Sequence, residues 1–224
     1  MPSTLRIWDL PTRLFHWALV ACVLGAFVTV KLGGLYMEWH VRFGVATVGL
    51  ILFRVLWGLF GSRYARFSQF LRGPRALAAY LGGRLRTAGH NPLGALSVAA
   101  MLLAFGFQAV SGLFASDDIM IQGPLHDRVD EGLASTLNRL HKANEWVLIA
   151  LVGLHLLALL WYAGVKRRPL LRAMVTGDAP ASDLPPDAAP ARDDLGMRLR
   201  ALAAALGCAA VVIWLLSLEA APAF

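Results

Sequence analysis

Charge is scarce in this 224-residue chain. Only 16% of its residues are Asp, Glu, Lys or Arg, and 58% are hydrophobic, against roughly 25% and 45–50% in an ordinary soluble domain. That balance excludes intrinsic disorder. Cysteine is nearly absent. Cys22 and Cys208 both lie inside apolar runs, so they read as small buried hydrophobes rather than a disulfide framework or a metal pair. Acid is short as well, with 14 Asp+Glu against 21 Lys+Arg and a net charge of +7. In a soluble protein that excess would point to nucleic acid. The placement of the arginines gives a different reading here.

What the chain has instead is long apolar runs. A membrane span needs roughly 20 mostly apolar residues. Five stretches qualify: Leu14 to Val30, Phe43 to Phe60 (one charge, Arg54), Asn91 to Ser116, Trp146 to Val165, and Ala201 to Leu218. In lipid such runs must be helical, because the backbone has no water to bond. The expected helices cover about 12–32, 40–60, 91–116 and 138–165, with a fifth inside 198–224. The first run is expected to be a retained helix, not a signal peptide, since its exit, Val28-Thr29-Val30-Lys31, holds no small-residue cleavage site.

The connecting segments set an orientation. Gly61 to His90 carries Arg63, Arg66, Arg72, Arg75, Arg84 and Arg86 and no acid, and Lys166-Arg167-Arg168 with Arg172 follows the fourth run. The loop between the third and fourth runs holds Asp117, Asp118, Asp127, Asp130 and Glu131. The positive-inside rule then places the N-terminus and the Arg-rich segments in the cytoplasm and the acidic loop and C-terminus outside. The basic surplus is a topology signal, and nucleic acid is not expected as a partner. Residues 177–197, rich in Asp, Ala and Pro, read as a flexible linker. Glycines inside the runs, among them Gly25, Gly44, Gly49, Gly106, Gly112 and Gly153, permit close approach of a helix or a flat ligand.

Histidines at the ends of spans carry the chemistry. Ionisable groups there are costly and mark function. His141 and His155 stand 14 residues apart, about 40° short of four full turns and about 21 Å along the axis, so both lie on one face at opposite depths. His16 opens the first run on the inner side and His40 opens the second on the outer side. By depth the four sort into His16 with His155 and His40 with His141. Two imidazoles from different helices suit the axial positions of a haem iron with no open site, fit for electron transfer. No CxxCH occurs, so such a haem would be non-covalent, of b type. Zinc is the competing metal, but no HExxH is present; the run from His141 reads HxxxE. Against this stands the plainer reading of each histidine as an interfacial polar group. Arg54 lies 14 residues after His40, on the same helix face. It is a candidate partner for haem propionates or a snorkelling arginine.

Several motifs have a familiar order. Arg-Ile-Trp-Asp-Leu-Pro-Thr-Arg-Leu-Phe-His-Trp at 6–17, Glu-Trp-His-Val-Arg-Phe-Gly at 38–44, Leu-Phe-Arg-Val-Leu-Trp-Gly-Leu-Phe-Gly at 52–61, Gly-His-Asn-Pro-Leu-Gly at 89–94 and the His141/His155 pair together resemble the bacterial cytochrome b561 family. That family includes the b-type cytochrome subunits of nickel–iron hydrogenases. The resemblance covers roughly residues 5–176.

The resemblance implies an all-α integral membrane bundle, with a four-helix core holding two b haems in residues 1–176 and a fifth C-terminal helix outside it. It implies the ligands His16, His40, His141 and His155, and electron transfer between the quinone pool and a redox partner, in a bacterial inner membrane. The partner would be a periplasmic cytochrome c or a hydrogenase-like protein, docking on the acidic loop. By the same analogy His90 and Asn91, at the start of the third run, are candidates to bond a quinone oxygen or relay its proton. The plain alternative for them is a helix cap with Asn91 as the capping residue. Two further functions stay open. One is superoxide oxidation coupled to quinone reduction, with Arg42, Arg128, Arg139 and Lys142 attracting the anion. The other is a histidine-bearing membrane scaffold or transporter.

Overall fold

The computed structural model describes residues 4–218. Its helices are α1 (Leu10–Leu32), α2 (Met37–Phe60), α3 (Phe67–Phe70), α4 (Pro74–Leu81), α5 (Pro92–Gly112), α6 (Glu131–Gly164), α7 (Leu170–Thr176) and α8 (Leu195–Leu216). Two short strands, β1 (Thr4–Arg6) and β2 (Asp178–Pro180), complete it.

Among the described residues, five helices are long and apolar enough to cross a membrane: α1, α2 with the turn before it, α5, α6 and α8. None of the residues in the most apolar window of α6 is buried. Leu157, Leu160 and Trp161 are all more than half exposed. Apolar surface of that extent is stable only against lipid or another apolar body. The fifth span begins at Leu195, three residues before the expected start, and residues 219–224 of the expected segment lie outside the described residues.

Local chemistry sets the helix starts. Asp9 precedes α1, and its Oδ1 accepts the Thr12 amide at 2.7 Å; Pro11 follows in the first turn, where its missing N–H costs nothing. Asn91 Oδ1 accepts the Gly94 amide at 2.8 Å at the head of α5. Asp130 Oδ1 accepts the Leu133 amide at 3.0 Å at the head of α6, and Asp194 Oδ1 that of Met197 at 3.0 Å at the head of α8. Each satisfies an orphan donor of a first turn. The cap at Asp130 explains why α6 starts at Glu131, seven residues before the expected boundary. Its 34 residues span about 51 Å, against a hydrocarbon core of about 30 Å.

The chain divides into two compact units. One comprises Met1–Phe15, Arg54–Met101 and Ala150–Ala204. Its core gathers Ile7, Trp8, Tyr64, Ala173, Leu184 and Ala191. Here β1 pairs antiparallel with β2 in the register Thr4 with Pro180, Leu5 with Ala179 and Arg6 with Asp178. Arg6 Nε donates to Asp178 Oδ1 at 2.7 Å and its Nη1 to Asp193 Oδ2 at 2.7 Å. The Leu10 amide donates to Asp193 Oδ1 at 3.1 Å, and the Ala191 amide to Arg6 O at 2.8 Å. The segment expected to be a flexible linker is thus tied to the N-terminal residues along much of its length. The reason is long-range ion pairing that local composition does not display.

The other unit comprises His16–Phe53, Leu102–Ile149 and Ala205–Phe224. Val45, Leu113 and Leu215 form its buried centre. Gly49 is pressed against the Val212 side chain, so that α8 meets α2 at a position that has room for no Cβ.

Candidate functional site

His40 and His141 lie in the second unit, and the structure brings them together. Their ring centroids are 6.2 Å apart and the planes are 87° apart. Two imidazoles bound through Nε2 on opposite sides of one metal have centroids about 6.3 Å apart, taking a metal–nitrogen bond of about 2 Å.

Hydrogen bonds orient both rings. His40 Nδ1 meets the Ala26 carbonyl at 2.9 Å. His141 Nδ1 meets the Gln108 carbonyl at 3.0 Å. A carbonyl only accepts, so each Nδ1 carries the proton and each Nε2 keeps its lone pair, a tautomer inferred from the network. Donation of one ring N–H to a main-chain carbonyl while the other nitrogen faces the metal is the usual support of a ligating histidine. Ser111 Oγ lies 3.2 Å from His141 Nδ1, and the Gln108 side-chain amide nitrogen 3.2 Å from His141 Nε2. That amide is steadied by Asn144, which donates to Gln108 Oε1 at 2.8 Å. A metal on His141 Nε2 would require the Gln108 amide to swing aside.

Glycine makes the room. A Cβ on Gly112 would stand 2.8 Å from His141 Cε1, so the ring occupies the space of a missing side chain. Gly44, one turn after His40 on the same helix face, would meet nothing within 4 Å. Open space beside His40 is the kind of slot a flat macrocycle needs. The donor set, its tautomers and this space fit a haem at His40 and His141.

His16 lies in α1, perpendicular to the Trp17 ring at 5.0 Å, and is half-buried. His155 lies in α6 and is half-buried too. These two belong to different compact units.

The first unit holds a second cluster. Arg54 is 3% exposed. Its guanidinium carbon stands 5.0 Å from the Phe67 ring centre and 5.9 Å from that of Phe70. The Phe67 ring lies against Gly58, one turn beyond Arg54, where a Cβ would collide with it. His90 is packed between Trp8 and Phe70, each at 4.7 Å between centroids. Its Nδ1 is shut off from solvent without a hydrogen-bond partner. Burial, then the nearby charges of Arg54 and His155, push its pKa down to about 3, so the ring is neutral at physiological pH. Asn91 is engaged on both sides of its amide. Its Oδ1 caps α5, and its Nδ2 donates to Tyr162 Oη at 2.8 Å. Tyr162 in turn shares a 2.6 Å hydrogen bond with Tyr80. Burial and that bond push the Tyr80 phenol up to about 12.

Sequence reasoning missed Gln108, Ser111 and Asn144, which orient His141, and Phe67, Phe70 and Trp8, which enclose Arg54 and His90. Gln108 and Ser111 sit in an otherwise apolar run, which was their one visible signal, whereas Asn144 sits in a polar stretch and carried none. Among the described residues, no group of three or more His, Cys, Asp or Glu side chains could hold a metal ion; a haem needs only two protein ligands.

One family model, described as prokaryotic cytochrome b561, matches residues 7–177. No curated protein and no solved structure matches the chain.

Proposed function

Because the chain belongs to the prokaryotic cytochrome b561 family, a family of bacterial membrane b-type cytochromes that carry electrons on haem b, we propose that it relays electrons between the quinone pool and a redox protein on the periplasmic side. The single observation that carries this reading is the His40–His141 pair, with centroids at 6.2 Å and each Nδ1 on a main-chain carbonyl. Haem bound there would supply one-electron chemistry between ferric and ferrous iron.

The chain's own part is to hold the imidazoles still. Ala26 O and Gln108 O fix the tautomers, Gly112 lets the His141 ring close on α5, and the apolar flanks keep water away. A second haem is proposed on the strength of the family motifs, with His16 and His155 as its candidate ligands. The arginines of residues 61–90 support a cytoplasmic N-terminus. The acidic loop, Asp117 to Glu131, then faces the periplasm, where it would attract a basic partner such as a cytochrome c. A quinone contact is proposed for His90 and Asn91, the latter with its cap and its bond to Tyr162 already in place. For superoxide oxidation, Arg42 would have to attract an anion, yet it lies 3.6 Å from Glu38 and over the Trp39 ring.

The test is a dithionite-reduced minus air-oxidised spectrum of detergent-purified protein, with a pyridine haemochrome for stoichiometry. The expected result is sharp b-type bands and two haems per chain. His40→Ala and His141→Ala should each remove the same haem, and His16→Ala and His155→Ala the other. Protein without haem after growth with ample haem supply would refute the reading.

A further inference from the structure

Arg54 and His90 have buried polar atoms that no described residue satisfies. Arg54 is 3% exposed, and its Nη1 has no hydrogen-bond partner. The aromatic rings of Phe67 and Phe70 face its guanidinium. Asp9, whose charge acts on Arg54, is wholly buried and already committed. Its Oδ1 accepts the Thr12 amide at 2.7 Å and its Oδ2 the Trp57 Nε1–H at 3.1 Å. A buried guanidinium with a free N–H is costly unless an anion meets it. His90 Nδ1 is a second buried ring nitrogen without a partner. Both residues bear on one ring, that of Phe70.

Two observations of different kinds therefore meet around the Phe70 ring: a buried guanidinium N–H without an acceptor and a buried imidazole Nδ1 without a partner. The group that answers both is a carboxylate, which offers two oxygens and one negative charge and pairs with guanidinium through strong charge-assisted hydrogen bonds. A neutral quinone oxygen would make only the weaker of the two kinds of bond to the guanidinium, and Asp9, the nearby acid, spends its oxygens on the Thr12 amide and the Trp57 indole. His155 belongs to the same compact unit as Arg54 and His90, and its charge is among those that lower the His90 pKa.

We propose that Arg54 and His90 together bind a carboxylate, namely a propionate of the haem carried by His155. The assignment rests on the haem reading above and deepens it. It gives His90 a cofactor contact in place of a quinone contact. A carboxylate from a retained fatty acid has the same chemistry, and the experiment separates the two sources.

The measurement is a potentiometric titration of both haems in the purified, haem-loaded protein, for wild type, Arg54→Gln, Arg54→Lys and His90→Phe. Losing the Arg54 charge leaves the propionate uncompensated beside the iron, which favours the ferric state. Arg54→Gln should lower the midpoint of one haem and spare the other. Arg54→Lys should keep most of the wild-type value. His90→Phe should lower the same midpoint by a smaller amount. Loss of one haem in Arg54→Gln, with both retained in Arg54→Lys, would support the same assignment. Two unmoved midpoints in Arg54→Gln with full haem content would overturn it. So would a fatty acid found one per chain by native mass spectrometry and lost in Arg54→Gln while the midpoints stay. Wild-type protein without haem would fail the haem reading and this assignment together; wild type with two haems and unmoved midpoints in Arg54→Gln fails this assignment alone.

Discussion

The substitution Gly112→Ala isolates one contact of the proposed His40–His141 haem. Its new methyl would stand 2.8 Å from His141 Cε1 and 3.3 Å from Nδ1, where carbon atoms ordinarily rest at about 3.5–4.0 Å. The ring must therefore recede by about 0.7–1.2 Å. It is held on α5 by the Gln108 carbonyl at 3.0 Å and Ser111 Oγ at 3.2 Å from the same nitrogen. A ring that moves so far cannot keep both. Losing one such bond costs about 1 kcal/mol, and overpacking adds about 1–3 kcal/mol. Loss of support of this kind lowers metal affinity by about 10–100-fold. Haem retention on dilution, read by haemochrome, should fall for one haem only, and the spectrum of the remaining haem should match that left by His141→Ala. Gly112→Ala protein that keeps both haems with unaltered bands and affinity would refute the argument that the glycine exists to seat His141.

The same physics gives further expectations. Gly44→Leu meets nothing within 4 Å of its Cβ, so the protein should accumulate normally yet carry less haem, as judged by the ratio of haem to protein. Gln108→Ala frees His141 Nε2 of the amide at 3.2 Å while keeping the main-chain acceptor, so haem content should be preserved. Asp193→Ala removes the acceptor shared by Arg6, Arg198 and the Leu10 amide. At about 2 kcal/mol, it should speed tryptic cleavage beside Arg192 by about 30-fold where opening and closing are fast relative to cleavage. Burial alone would raise the Asp193 carboxyl, but the Arg198 bond, the Leu10 amide and the charges of Arg198 and Arg6 outweigh it and hold the group below its ordinary value. Its contribution is thus complete above the unfolded value of about 4 and lost only as pH falls through the lower folded one. Tryptic protection, measured after brief incubation at a series of pH values, should hold from pH 8 to 5 and fail only in stronger acid.

Much of this architecture can be read from residue order because lipid imposes it. Long apolar runs have no alternative to helix, and all five spans follow from them. Depth along a helix is also a one-dimensional property, so the grouping of His40 with His141 needed only a count of residues and an orientation. The structure sets those rings 6.2 Å apart. Gly112 was visible as a glycine that admits a close neighbour, but not that the neighbour is His141, because helix-to-helix register is absent from local pattern. The head of α6 was read too late because Glu131 to Glu145 is polar, and apolar content marks where a helix enters lipid rather than where it begins. The contacts of Arg6 with Asp178 and Asp193 were hidden for a different reason. They link residues 172 and 187 positions apart, in a stretch whose Asp, Ala and Pro content is that of a free linker. The Asx residues before α1, α5, α6 and α8, namely Asp9, Asn91, Asp130 and Asp194, carry a local signal strong enough to have fixed those boundaries.

That long-range tie also orders events in time. β1 leaves the ribosome well before its partners: Asp178 follows Arg6 by 172 residues and Asp193 by 187. At roughly 5–20 residues per second, the N-terminal strand waits on the order of 10–40 s for them. Residues 16–149, with His40, His141 and the main-chain carbonyls that orient them, are already synthesised by then. The pocket proposed for the first haem can therefore be built while the N-terminal strand is still unpaired. The closing of β1 on β2 marks the moment when the chain has been translated past α7.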